Sequence, residues 1–256
     1  MDNKDFRKHA HELVDWMADY LEHVESYPVK PATKPREIIH QLPGHPPDLG
    51  EPFPAIFEDF RNIIVPGMTH WQNPSFFAYF PANTSAPSIL AEMLTATLGA
   101  QCMSWATSPA ATELEECVMQ WLRDMIGLPE EFTGVIQDTA STATLCSLLT
   151  AREAKTGYAI NSTGFSDKHR FTVYSSSEAH SSVEKAVKIA GIGREHLRKI
   201  AVDDAYAMVP RALEKAINAD LAAGYMPLGV IAALGTTGST AIDPLQAIGD
   251  ICRKHG

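Results

Sequence analysis

The chain has 256 residues, 45% of them hydrophobic and 20% charged, with a formal net charge of -10. That length suits one large or two small globular domains, and an acidic balance without any Lys/Arg run argues against a nucleic-acid surface. No window is apolar enough to span a bilayer, and Met1-Asp2-Asn3-Lys4 lacks the apolar centre of a signal peptide, so a cytoplasmic protein without a membrane partner is expected.

Phe6, Ala10, Leu13, Val14, Met17, Leu21 and Val24 recur at spacings of three and four, which predicts an amphipathic helix over residues 3–25. After Tyr27 come Pro28, Pro31, Pro35, Pro43, Pro46, Pro47, Pro52 and Pro54. Proline fixes φ and removes a donor, so this stretch reads as an extended arm. The arm packs either on another subunit or back on its own chain. A second short helix carries Phe53, Ile56, Phe57, Phe60, Ile63 and Ile64. From His70 to Pro81 aromatics crowd between prolines with neither helical nor strand spacing. They wall a pocket for a flat ligand or simply fill a core.

A third helix is expected from Pro87 to Leu98. The loop 100–107 holds Met103 and Trp105. A fourth helix starts with Ser108 as cap and Pro109 in the first turn, and Gly127 and Pro129 stop it. Next comes Gly134-Val135-Ile136-Gln137-Asp138-Thr139-Ala140-Ser141, a short apolar run that reads as a strand and ends in small hydroxyl residues opening a helix. The first amides of a helix lack intrahelical partners, so this is either an ordinary cap or an anion site. Beyond it strand and helix patterns alternate. Phe171–Tyr174, Leu197–Val202 and Gly229–Leu234 are strand candidates, the last expected to be buried on both faces. Helices are expected from about 181, from Pro210, and from Pro244 with Asp243 as cap. Such alternation predicts an α/β fold with a mainly parallel sheet, whose ligands bind beyond the carboxyl ends of the strands.

Common catalytic motifs are absent. There is no P-loop, HExxH or GxSxG, and Gly191-Ile192-Gly193 lacks the third glycine of a dinucleotide fingerprint. Cys102, Cys117, Cys146 and Cys252 form no metal spacing, and three lie in apolar helical contexts that suggest buried thiols. His9 and His11 read as solvated surface, so no metal site is expected. In Ser175-Ser176-Ser177-Glu178-Ala179-His180-Ser181-Ser182, the histidine follows a strand and opens a helix. It is a general acid or base, a ring stacked on a flat ligand, or a helix cap.

Taken together, Trp71 through Pro81, Ser104-Trp105 with Ser108-Pro109-Ala110, Thr112-Glu113-Leu114-Glu115, Gly134-Val135-Ile136-Gln137, Ala179 through Ala186, and Leu234-Gly235-Thr236-Thr237 form a specific set. The set resembles the group II pyridoxal-phosphate-dependent amino-acid decarboxylases, most closely the aromatic-L-amino-acid decarboxylases. The resemblance implies a pyridoxal-phosphate-dependent transferase fold of the aspartate-aminotransferase type, in a homodimer with an intertwined N-terminal segment. Residues 1–85 would be the dimerising helices and arm, and 86–256 part of the large cofactor-binding domain. Ala140 and Ser141 match residues that bind the phosphate of pyridoxal 5'-phosphate, and His180 matches the histidine stacked on its ring. Thr237 matches a threonine near the cofactor. Tyr79, Phe80 and Pro81 match the substrate pocket, and the loop around Met103 would reach the partner's site. The implied reaction is decarboxylation of an L-amino acid, an aromatic one, to an amine and carbon dioxide.

Some positions depart from the pattern. Ala82 stands where relatives carry a threonine at the substrate pocket, Met103 where an aromatic residue is common, and Thr142 where an acidic residue is usual. The family's pyridinium-pairing aspartate and Schiff-base lysine find no match here, so this chain alone is expected to be inactive and incomplete in its sheet. Two other readings stand beside decarboxylation. One is an aldehyde-forming relative, and the other a non-catalytic fragment that dimerises through the N-terminal arm.

Overall fold

The computed structural model describes residues 1–80 and 84–256, and its backbone divides into two compact units, Met1–Leu98 and Gly99–Gly256.

The first unit begins with α1 (Asn3–Glu22). The Asp2 carboxylate accepts the amides of Lys4 and Asp5, each at 2.8 Å, and so caps the helix. After α1 and a single tight turn, the proline-rich stretch runs without regular structure apart from a turn at Ile39–Gln41. α2 (Phe53–Asp59) continues into a wider helical turn at Phe60–Ile64, and α3 (Ala86–Leu98) closes the unit. Trp16 of α1 sets its indole edge-on to Phe60, with ring centres 5.2 Å apart.

The aromatic stretch divides. His70 is buried and bonded through Nδ1 to the Tyr20 hydroxyl at 2.8 Å, and burial holds its pKa below the ordinary value. The Asn73 amide donates to the carbonyls of Val24 (3.2 Å) and Tyr27 (2.9 Å), fastening this segment to the end of α1. Phe77, Tyr79 and Phe80 lie exposed. His9, expected on the surface, is instead buried, bonded to Glu12 at 2.8 Å and packed near the Phe53 ring. The apolar stripe of α1 draws this histidine inward with it.

The second unit opens with α4 (Pro109–Met125), followed by α5 (Ala140–Lys155) and the short α6 (Ala159–Thr163). Then come β1 (Phe171–Ser176), α7 (Ser182–Ile189), β2 (Leu197–Ile200), α8 (Pro210–Ala222), β3 (Met226–Ile231) and α9 (Leu245–His255). Among the described residues the strands form one parallel sheet in the order β2-β1-β3. Central β1 is buried at every position, and its side chains alternate between two cores. Phe171 and Val173 pack with Leu148 of α5 and Val187 of α7. Tyr174 packs on the opposite face with Leu213 and Ile217 of α8 and Ile248 of α9.

Several expectations are corrected. Residues 134–138 form no strand; Val135 and Ile136 are exposed, and the Ile136 amide donates to the Glu115 carboxylate at 2.7 Å. A side chain thus takes the donor that a ladder would have used. The last strand starts at Met226 rather than Gly229 and is only half-buried. Pro227 sits in it, which an outer strand tolerates, and the pairing with β1 shifts register between Thr172 and Val173. The strand also ends early, because the Ala233 amide donates to the Asp243 carboxylate instead. Asp243 therefore caps nothing: Pro244 occupies the α9 cap position, and both Asp243 oxygens are engaged elsewhere. Ser108 makes no side-chain cap bond to α4. The cysteines are less covered than expected, with Cys102 exposed and the other three half-buried.

Candidate active site

β1 and β3 are neighbours and parallel, so the segments after them emerge at one edge of the sheet, where open α/β sheets take ligands. His180 follows β1 and Thr237 follows β3. Ala140 opens α5 and, with Ala143, lines a groove of about 520 Å³ whose other wall includes Ile231 and Ala232 at the end of β3. Ala140 thus shares a groove with the end of β3, while His180 and Thr237 each follow one of the two parallel strands.

At the α5 N-terminus, capping and anion binding turn out to be compatible. Thr139 is the cap, its hydroxyl accepting the Thr142 amide at 3.1 Å. Ala140 and Ser141 then form the first turn, where helix geometry leaves amides without intrahelical partners. Both residues are small and exposed. The donor set, two amides at the positive end of a helix and the Ser141 hydroxyl, has the chemistry of a phosphate cradle.

His180 likewise does two things. Its Nδ1 accepts the Ser182 amide at 3.2 Å and lies 2.9 Å from the Ser182 hydroxyl, so the imidazole caps the first turn of α7. An amide donating to Nδ1 places the ring proton on Nε2. The ring is fixed on its helix-facing side while the residue remains exposed. The buried Ser176 hydroxyl at the end of β1 has no hydrogen-bond partner among the described residues.

Thr237 stands exposed at the tip of a tight hairpin between Leu234 and Ile242, which pair as an antiparallel bridge. The amides of Gly235 (2.8 Å) and Thr236 (3.2 Å) both donate to the Ala241 carbonyl, and Thr236 and Ser239 hydroxyls meet at 2.6 Å. Gly235 has φ +86°, a conformation that suits glycine. Thr240 carries φ 55°, which a β-branched residue adopts only under strain. Thr240→Asn is expected to raise the stability of the protein by about 1 kcal/mol, since asparagine tolerates left-handed backbone. The urea midpoint measures this, and a midpoint that falls would mean that the threonine side chain offsets its own strain.

The substrate-side residues are distributed differently. Tyr79 and Phe80 belong to the first unit and Met103 to the second, and all three are exposed. Pro81 and Ala82 lie outside the described residues. Sequence reasoning missed two contributors. Ser182 sets the His180 ring, and the SSxxxHSS pattern flags it only as a run of hydroxyls. Asp243 was hidden because an aspartate before proline looks like a helix cap.

The Pyridoxal-dependent decarboxylase conserved domain matches residues 35–256. Over its whole length the chain is 42% identical to phenylacetaldehyde synthase of Arabidopsis thaliana, covering 53% of that protein. It is also 42% identical to tyrosine decarboxylase 2 of Narcissus pseudonarcissus, covering 52% of it. The crystal structure of Catharanthus roseus tryptophan decarboxylase in complex with L-tryptophan superposes on all of this chain with a TM-score of 0.93 and 38% identity, and 56% of that chain is covered. The chain thus spans about half the length of the curated relatives it matches.

Proposed function

This chain belongs to the pyridoxal-dependent decarboxylases, whose cofactor is pyridoxal phosphate, and from that premise we propose that its protein converts an aromatic L-amino acid to an amine and carbon dioxide. The observation that carries the reading is the carboxyl edge of the sheet, where the first turn of α5, the His180 ring and the Thr237 hairpin lie on converging elements. The fold is that of the family, an α/β arrangement with a small parallel sheet. When bound, the cofactor supplies an electron-withdrawing ring that takes up the electrons left as carbon dioxide departs.

The residues of this chain bind and orient. The Ala140 and Ser141 amides, with the Ser141 hydroxyl, would hold the phosphate. His180 is the catalytic residue of the set: its ring would face the cofactor's pyridine, with Nδ1 engaged by the Ser182 amide and the ring proton on Nε2. Thr237 contributes a hydroxyl beside the cofactor. Tyr79, Phe80, Pro81, Ala82 and Met103 match the family's substrate-side positions, and the resemblance alone supports that role for them. In this reading the protein is a cytoplasmic homodimer, with the α1 helix and proline-rich arm in the interface. Among the described residues no helix is long and apolar enough to cross a membrane.

The test uses the protein translated from the complete gene, supplied with pyridoxal phosphate and L-tryptophan, L-tyrosine or L-phenylalanine. Equal amounts of amine and carbon dioxide are expected. The identity to phenylacetaldehyde synthase favours one second reading, in which an aldehyde forms with ammonia and hydrogen peroxide. Peroxide in place of amine would select it.

A further inference from the structure

Asp243 is buried, and a buried carboxylate is costly unless its oxygens are well bonded. Its two oxygens accept amides from different parts of the chain: Oδ1 from Met208 and Oδ2 from Ala233, each at 2.7 Å. Its own amide donates to the Ala233 carbonyl at 2.9 Å. Ala233 is therefore gripped through both its main-chain polar groups by one residue. Ala233 and Asp243 flank the Leu234–Ile242 bridge, so the grip closes the base of the hairpin whose tip is Thr237. The bond to Met208, itself buried in the core beside α8, ties that base to the body of the unit.

These bonds do not serve the helix that follows. The Ile248 amide goes to the Pro244 carbonyl, and neither Asp243 oxygen accepts from α9. A pure capping role is thereby excluded. Nor does the hairpin's own hydrogen bonding fix its placement. The Thr236–Ser239 and Gly235–Ala241 bonds hold its internal shape, while among the described residues the Asp243–Met208 bond ties its base to the segment before α8.

We propose that Asp243 is a positioning residue for the cofactor: it acts through the hairpin to set where Thr237 stands at the carboxyl edge of the sheet. The inference rests on the cofactor reading given above. Asparagine has nearly the same shape but offers one acceptor oxygen, and its NH2 faces an amide N–H where a bond had been. Asp243→Asn thus frees either Met208 or Ala233 without opening a cavity.

The experiment titrates the cofactor-free full-length protein with pyridoxine 5'-phosphate, which carries the ring and phosphate but no aldehyde to react with surface lysines. Calorimetry compares the unmodified chain, Asp243→Asn, Thr237→Ala and the double variant, each at a temperature where circular dichroism shows it folded. Each single variant is expected to weaken binding by about fivefold, the worth of one hydrogen bond. The double variant should be no weaker than the weaker single one, because a residue that acts only through Thr237 has nothing left to lose once that hydroxyl is gone. A merely structural aspartate would add its effect to that of Thr237→Ala, and that result overturns the proposal. So does unchanged affinity in Asp243→Asn. If the full-length cofactor-free protein fails to bind the probe, the placement of the cofactor at this sheet edge falls and takes this inference with it, a result distinct from either of the others.

Discussion

Ser141→Asp is expected to weaken pyridoxine 5'-phosphate binding by roughly a hundredfold while leaving the protein slightly more stable. Ser141 lies in the first turn of α5, one residue after Ala140 and two after the Thr139 cap. A carboxylate there would turn to the same unpartnered amides that are proposed to hold the phosphate, and would repel the dianion as well. Losing charge-assisted hydrogen bonds and adding a like charge nearby together cost about 3 kcal/mol of binding. The same carboxylate is favourable to the helix, contributing about 0.5 kcal/mol at its positive end. The opposite signs separate loss of a site from loss of the fold. Calorimetric titration and a urea melt of the same sample measure both, and binding that survives would place the phosphate away from α5.

The second large effect concerns a buried polar network on the α8 side of the sheet. The Tyr174 hydroxyl donates to Asp220 at 2.7 Å and meets the Thr172 hydroxyl at 2.9 Å. Arg198 reaches the same carboxylate through Nε at 3.0 Å and Nη2 at 2.7 Å. Burial pushes the Asp220 carboxyl up, but the hydrogen bonds from Arg198 and Tyr174 outweigh it and hold the pKa below the ordinary value. Burial also raises the Tyr174 phenol, and here it prevails, holding the group well above its usual range, so it stays a donor. Asp220→Ala leaves the guanidinium and the phenol without their shared partner and is expected to cost about 3 kcal/mol.

The pH dependence follows in sign. The folded-state pKa of Asp220 lies below its ordinary value of 3.8, so the unfolded chain binds the proton more readily. The stability that Asp220 contributes is fully present above that ordinary value and drains away as pH falls through the folded one. Asp220→Asn removes this titration, so its urea midpoint should change less than that of the unmodified chain on the acid side. An equally steep acid limb in the variant would assign the loss to other carboxylates.

Much of the second unit was legible because its signals are local. Pro210 at the start of α8 and Gly224 after its end bracket a helix in the sequence itself, as do Thr139 and Gly157 for α5. The placement of two candidate residues was legible for a related reason. In a parallel sheet the residues just past each strand share one edge, so placing His180 after β1 and Thr237 after β3 already puts them on the same side. Where side chains compete with the backbone for hydrogen bonds, the same signals misled. Val135 and Ile136 look like a strand, yet Glu115 takes the Ile136 amide. Ala232 to Leu234 continue an apolar run, yet Asp243 takes the Ala233 amide and ends β3 at Ile231.

The sequence by itself determined the α/β class and, from β1 onward, the alternation of strands and helices in the second unit. Hydrophobic period and capping residues act over a few neighbours, and that is enough to decide them. Only the tertiary structure decided that His180 both caps α7 and remains exposed, that His9 turns inward, and that Asp243 grips the Thr237 hairpin rather than a helix. Each depends on a partner or a packing face set by the folded chain. The Asp243–Met208 bond joins residues 35 positions apart, a distance over which no local pattern carries information.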